Sequence, residues 1–168
     1  MLHTLEVTTD SFCQPTPWKA WQADAMTEDL RSVDVTKIGE HRYQAHNRRG
    51  GSITFGVGED PDFTPVELLL TALAGCSALD IDYITGKRAP FTAFLARAEA
   101  DKIRDDSGNH LVNIQITFDV SFPEGEGGDA ARDVLPSAMQ RSHERLCTVS
   151  RTVELGTPVS YSLGPIAD

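Results

Sequence analysis

The pattern of apolar and polar positions changes character several times along the chain. The first 29 residues show no sustained period and include the extended stretch Gln14-Pro-Thr-Pro-Trp18. They read either as an N-terminal tail, with Met26 as an alternative start, or as an arm packing Trp18 and Trp21 onto the body. Residues 33–38, 42–46 and 52–57 then read as short strands, separated by Gly39-Glu40 and Arg48-Arg-Gly-Gly51. Together they form a small β-meander. Thr64 as N-cap, Pro65 at the first helical position and Glu67 three after the cap predict a helix start, and residues 68–86 carry the helix on. Because its first turns (Leu68-Leu-Leu-Thr-Ala-Leu-Ala-Gly-Cys76) are apolar nearly all round, this helix is expected to be central and buried.

Two long strands follow, residues 91–104 and 111–122, joined by the turn-rich link 105–109. In the second, Ile114, Ile116, Phe118, Val120 and Phe122 alternate with Asn113, Gln115, Thr117, Asp119 and Ser121, so one face meets a core. Residues 124–128 read as a loop and 129–146 as a second helix, with Pro136 marking its true start or kinking it. Residues 151–162 read as a closing strand. This order argues an α+β architecture, with 1–29 as a tail and 30–168 as one domain.

Composition changes this picture little. The 168 residues, 40% hydrophobic and 24% charged, suit one globular domain. A formal net charge of −10 opposes general electrostatic binding to nucleic acid or an anionic membrane surface. No apolar run approaches the roughly 18 consecutive residues of a membrane span, and the start lacks the features of a signal peptide, so a cytoplasmic location is expected.

The candidate chemistry lies in the cysteines. Cys13, Cys76 and Cys147 cannot make a closed disulfide framework, so any disulfide here is expected to be transient or catalytic. Cys76 shares a helix face with Leu69, Ala72, Leu73, Asp80 and Tyr83, a setting that fits a small core residue as well as a nucleophile. Cys147 follows His143 by four residues, which stacks imidazole and thiol if the helix continues, and Arg145 and Arg151 flank it. A buried thiol with a surface histidine at chance spacing fits equally. The cysteines and histidines lack the paired short spacings of a structural zinc site, so neither a metal nor a cofactor is assigned. Phosphate loops and Gly-x-Ser-x-Gly elbows are also missing from the sequence.

Thr64-Pro-Val-Glu-Leu-Leu-Leu-Thr-Ala-Leu-Ala-Gly-Cys-Ser-Ala-Leu-Asp80, followed much later by Leu146-Cys-Thr-Val-Ser150 and a closing segment, resembles the OsmC/Ohr family from about Val33 to the end. The resemblance implies an intertwined homodimer that reduces organic hydroperoxides, with Cys76 as the peroxidatic and Cys147 as the resolving cysteine. It also implies an arginine that offsets desolvation of the thiolate. Arg49 stands in the loop where that arginine is expected, with Arg48 as the alternative.

An external thiol, a dihydrolipoyl protein or a low-molecular-weight thiol, would return the oxidised pair to the dithiol state. The sequence departs from the better-known peroxidases at one point. They carry a glutamate ten residues before the first cysteine, where this chain has Val66, and the match is closer to a less characterised OsmC-like branch. Glu67 is a poor substitute, because its capping role explains it and nine helical residues place it about 13 Å along the axis from Cys76, on the opposite side, so it joins a Cys76 site only if a second chain supplies it or the helix is broken. Two functions follow from the resemblance: a thiol peroxidase, or a non-enzymatic dimer that binds a small hydrophobic ligand or senses oxidation.

Overall fold

The computed structural model describes residues 30–165, so the expectations for residues 1–29 lie outside it. Three short strands, β1 (Val33–Gly39), β2 (Arg42–Asn47) and β3 (Ser52–Phe55), form an antiparallel sheet in sequence order, the expected meander. Its second turn holds because Asn47 Oδ1 accepts from the backbone N–H groups of Arg49 (2.9 Å) and Gly51 (3.1 Å), while Gly50 takes φ 87°. Arg42 pairs with Asp60 and Asp62, which ties the loop leading out of the sheet back onto β2.

Helix α1 (Pro65–Thr85) starts where the cap was read. The Thr64 hydroxyl accepts from the Glu67 backbone, and the Glu67 carboxylate accepts from the Thr64 N–H at 2.7 Å, which closes the capping box. By length and composition α1 is apolar enough to cross a membrane. In the fold it is the central helix, with the strand that follows it and both later helices packed against it. The hairpin of β4 (Ala93–Asp105) and β5 (Gly108–Ser121) turns through Asp106-Ser107, with Gly108 at φ 96°.

Helix α2 (Glu126–Arg141) begins three residues earlier than the sequence suggested, and Pro136 lies inside it. Gly128 makes this early start possible, because a Cβ there would meet the Pro123 carbonyl oxygen at 1.8 Å. A small core forms from Ala89, Phe122 and Ala131, with Phe91, Val120 and Leu135 packed on it.

Two expectations fail at the C-terminal end. The second helix does not run on to residue 146, since at Ser142 it widens into a π-helical segment (Ser142–Leu146). Nor is 151–162 a strand: α3 (Thr148–Glu154) occupies its first part, and residues 157–165 have no regular structure. The alternation that suggested a strand is present, but Val159, Tyr161 and Leu163 are 78%, 95% and 85% exposed. A strand needs a neighbouring edge for its backbone hydrogen bonds, and this segment finds none among the described residues.

Other apolar surface is also left open. One stripe of α1 (Leu73, Ser77, Ile81, Thr85) is buried, whereas Leu79 and Tyr83 on the same helix, and Val33, Val35 and Ile38 on β1, are half or more exposed. A helix apolar nearly all round therefore finds cover for only part of its surface among the described residues.

The cap allows a direct check. Thr64→Ala removes the hydroxyl half of the capping box and should destabilise the protein by about 1 kcal/mol. In a chain of this size that lowers Tm by about 2–4 °C in a thermal melt. Since the cap lies about three helical turns from Cys76, the thiol reactivity should not change.

Candidate thiol site

Cys76 and Cys147 meet where α1 passes the junction of α2 and α3. The junction is built by the π-helical segment. Its wide turn is closed by the Cys147 N–H donating to the Ser142 carbonyl at 2.9 Å, five residues back. Cys147 then leaves the helix with φ −66° and ψ 98° and becomes the N-cap of α3. The chain reverses into a new helix at the cysteine itself, so the thiol faces α1. The sulfurs of Cys76 and Cys147 and a carboxylate oxygen of Asp80 lie within 4.8 Å of one another. Cys147 is fully buried, whereas Cys76 and Asp80 are half-buried.

The two thiols have unequal surroundings. Burial pushes the Cys147 thiol up, but hydrogen bonds outweigh it and leave the group more acidic than the ordinary value of 9.0. The Ser150 hydroxyl stands 3.2 Å from the sulfur, the Ser150 backbone N–H donates to it at 3.4 Å, and Ser77 and Cys76 supply further donors. Cys76 moves the other way. Burial raises it and the Val149 backbone donor offsets only part of this, while the proximity of Cys147 and the Asp80 charge raise it further. Within one chain, the shared negative charge belongs on Cys147. Asp80 is itself held by the Ser142 hydroxyl, which donates to its carboxylate at 2.9 Å.

Beside this cluster lies a cavity of about 520 Å³. Its wall is mixed: Leu73, Ile81, Ile116 and Phe118 lie beside Ser77 and Ser150, with Gln115, Gln140, His143 and Glu154 also on the lining.

A sequence profile described as OsmC-like protein matches residues 58–162, which include both cysteines and the whole of the α1 to α3 body. The chain belongs to the OsmC-like protein family. Uncharacterized proteins of Mycobacterium tuberculosis H37Rv and Mycobacterium bovis are each 32% identical over 134 residues, covering 77% of this chain and 93% of theirs. Among solved structures, an OsmC-like protein of unknown function from Vibrio cholerae superposes with a TM-score of 0.63 at 18% identity, over 77% of this chain and 95% of that one. An organic hydroperoxide resistance protein OsmC from Legionella pneumophila gives a TM-score of 0.50 at 13% identity, over 74% and 90%. At these identities the structures establish the α+β OsmC-like fold.

In this OsmC-like chain the other residues singled out from sequence fall outside the thiol cluster. Arg48 and Arg49 sit exposed in the β2–β3 turn, and neither is among the groups acting on Cys76 or Cys147 within one chain. Glu67 is occupied at the cap, where donors from the Thr64 backbone and then its hydroxyl hold the carboxyl below its ordinary range. It borders an open groove with Phe63, Leu70 and Ala74, away from the sulfurs. His143 does not stack on Cys147, because the helix that would have aligned them has already widened. Its Nδ1 faces Glu154 at 3.3 Å instead.

Three participants were not assigned from sequence: Asp80, Ser142 and Ser150. Asp80 stands four residues after Cys76, one turn along the same face, and Ser150 stands three after Cys147, the spacing of an N-cap and its N3 partner. Read as a helix start and not as a helix end, Cys147-Thr-Val-Ser150 shows a sulfur supported by backbone donors. Only the long-range contact from Ser142 to Asp80 has no local signal.

The thiolate should therefore appear on Cys147 below the ordinary pH of about 9, and Ser150→Ala should move its titration upward by removing the hydroxyl donor. Ultraviolet thiolate absorbance against pH, in Cys13→Ser and in Cys13→Ser/Ser150→Ala, reads this. An unchanged midpoint in the double variant would mean that Ser150 does not support the sulfur.

Proposed function

We propose that this OsmC-like protein is a thiol-dependent peroxidase that reduces organic hydroperoxides in the cytoplasm. The approach of the Cys76 and Cys147 sulfurs carries the reading. Disulfides require closely spaced Cβ atoms, and two sulfurs within 4.8 Å are close enough to bond after a small side-chain movement.

The half-buried Cys76 is the thiol that a peroxide can reach, and Cys147 is the shielded one. A pair carrying one negative charge accounts for the steps. With the proton on Cys147, the Cys76 thiolate attacks the outer oxygen and the O–O bond breaks. Cys76 becomes a sulfenic acid, and the departing alkoxide takes the Cys147 proton to leave as alcohol. The Cys147 thiolate then attacks the Cys76 sulfur, expels hydroxide and closes the disulfide. A dihydrolipoyl protein or a small thiol reduces it again. The apolar part of the cavity beside Ser77 and Ser150 (Leu73, Ile81, Ile116, Phe118) suits the carbon chain of such a hydroperoxide.

Shifting the charge from Cys147 to Cys76 requires a cation near Cys76. Arg49 supplies it from a second copy of the chain, with Arg48 as the alternative. The same homodimer would cover the open apolar faces of α1 and β1 and give the Val159–Leu163 alternation an edge to join. Its support is the area left bare in one copy together with the family's dimeric habit.

Consumption of cumene hydroperoxide with dihydrolipoamide as reductant should vanish in Cys76→Ser. In Cys147→Ser without added reductant, one equivalent should be consumed, with the sulfenic acid trapped by dimedone. Normal turnover by Cys76→Ser would end the reading. Arg49→Ala should lower kcat/KM at least tenfold, a loss of about 1.4 kcal/mol of transition-state stabilisation. Wild-type rates in both Arg49→Ala and Arg48→Ala would remove the arginine from the scheme.

A second reading keeps the dimer without turnover, with the cavity of about 520 Å³ binding a small hydrophobic ligand or the pair sensing oxidation. It is favoured if intact mass shows no Cys76–Cys147 disulfide after peroxide treatment.

A further inference from the structure

Asp80 is the member of the thiol cluster that peroxidase chemistry does not explain. Its carboxylate shares a 4.8 Å neighbourhood with both sulfurs, and it adds to the forces that keep the Cys76 proton in place. A nucleophilic thiolate is hindered by such a neighbour. Yet the protein fixes the carboxylate there, since the buried Ser142 hydroxyl donates to it at 2.9 Å across the α1–α2 contact. With Cys76 protonated the cluster is tolerable, but a divalent cation would let both sulfurs and the carboxylate carry their charges together. An arginine can meet the carboxylate, but it cannot coordinate two sulfurs.

We infer that Cys76, Asp80 and Cys147 form a three-ligand binding site for a thiophilic divalent cation of the zinc class. The inference rests on the convergence of three side chains and not on the peroxidase reading. The donor set, two sulfurs and one oxygen, suits zinc and excludes the hard cations that take only oxygen ligands. Zinc–sulfur bonds of about 2.3 Å and zinc–oxygen bonds of about 2.0–2.2 Å at tetrahedral angles require donor separations of about 3.5–3.8 Å. Donors already within 4.8 Å of one another reach those separations by side-chain rotation alone.

The outer shell is also that of a metal site. Ser142 orients the carboxylate, and backbone donors from Ser150 and Val149 point at the two sulfurs. The cation reaches the site from the side where Cys76 and Asp80 are accessible, and water completes a fourth position. Binding needs both sulfurs as thiolates, so the cation displaces the Cys76 proton, and the Cys147 proton wherever it is still held, to solvent; no redox change accompanies it. Local sequence spacing could not have shown this site, because Cys147 arrives from 71 residues away.

The test is an anaerobic titration of the reduced full-length protein with Co²⁺ as a spectroscopic probe, followed by displacement with Zn²⁺. One Co²⁺ per chain is expected, with thiolate-to-cobalt charge transfer and the intense visible bands of a tetrahedral site, both lost on adding Zn²⁺. Cys13→Ser and Arg49→Ala should retain the spectrum, Cys76→Ser and Cys147→Ser should abolish it, and Asp80→Asn should weaken binding at least tenfold. No charge-transfer band in the wild type, its loss in Cys13→Ser, or unchanged affinity in a folded Asp80→Asn would each overturn the assignment.

If Asp80→Asn does not fold, X-ray absorption on the zinc-loaded wild type decides. Two sulfur and two oxygen ligands support the site, and any other sulfur count sinks it. A loaded site has no free thiolate, so Zn²⁺ should also stop hydroperoxide turnover. That consequence depends on the peroxidase reading, whereas the cobalt spectrum does not.

Discussion

The contact between the α2–α3 junction and α1 at the two cysteines is the constraint around which this molecule is arranged. Cys147 can face Cys76 only if α2 ends, the chain turns, and a new helix begins within a few residues. The π-helical segment achieves this by spending one extra residue per turn, so that the Cys147 N–H reaches back five positions to Ser142. The same widening sets Ser142 against α1, where it binds Asp80. Capping of α3 then replaces what the thiol lost on leaving water, since the N–H of Ser150 donates to the sulfur in place of solvent.

Most of the fold was legible because its signals are local. Thr64, Pro65 and Glu67 fix the start of α1 through short-range hydrogen bonds and a preset φ, so sequence and structure agree to the residue. The alternation of β5 is likewise a local consequence of one buried face. The C-terminal end was misread for a physical reason. Helical periodicity does not reveal a single π turn, and 142–147 continues the pattern of α2 while its backbone departs from it. The alternation after residue 157 is a strand pattern, but among the described residues the segment meets no edge to pair with.

The site divides in the same way. Cys76 and Cys147 stood out as residues, but the direction of their pKa shifts did not, because that direction depends on Cys147 starting a helix and not ending one. His143 followed from the assumption of a continuous helix and failed with it. Glu67 caps its helix as its spacing implies, and its hydrogen bonds with Thr64 hold it away from the sulfurs of its own chain. Asp80 was visible one turn beyond Cys76, yet its role depends on Ser142, which is 62 residues away in sequence.

The separation of the two cysteines along the chain has its own consequence. A bond between Cys76 and Cys147 would link α1 directly to the start of α3 and close a loop of 71 residues. In the chain-entropy view, a loop of that length removes about 4 kcal/mol of freedom from the unfolded ensemble. The oxidised protein would then be the harder form to unfold, and reduction would return it to a looser state. A cell that degrades proteins according to how often they open would in this way remove the resting form faster than the form that has just met its oxidant.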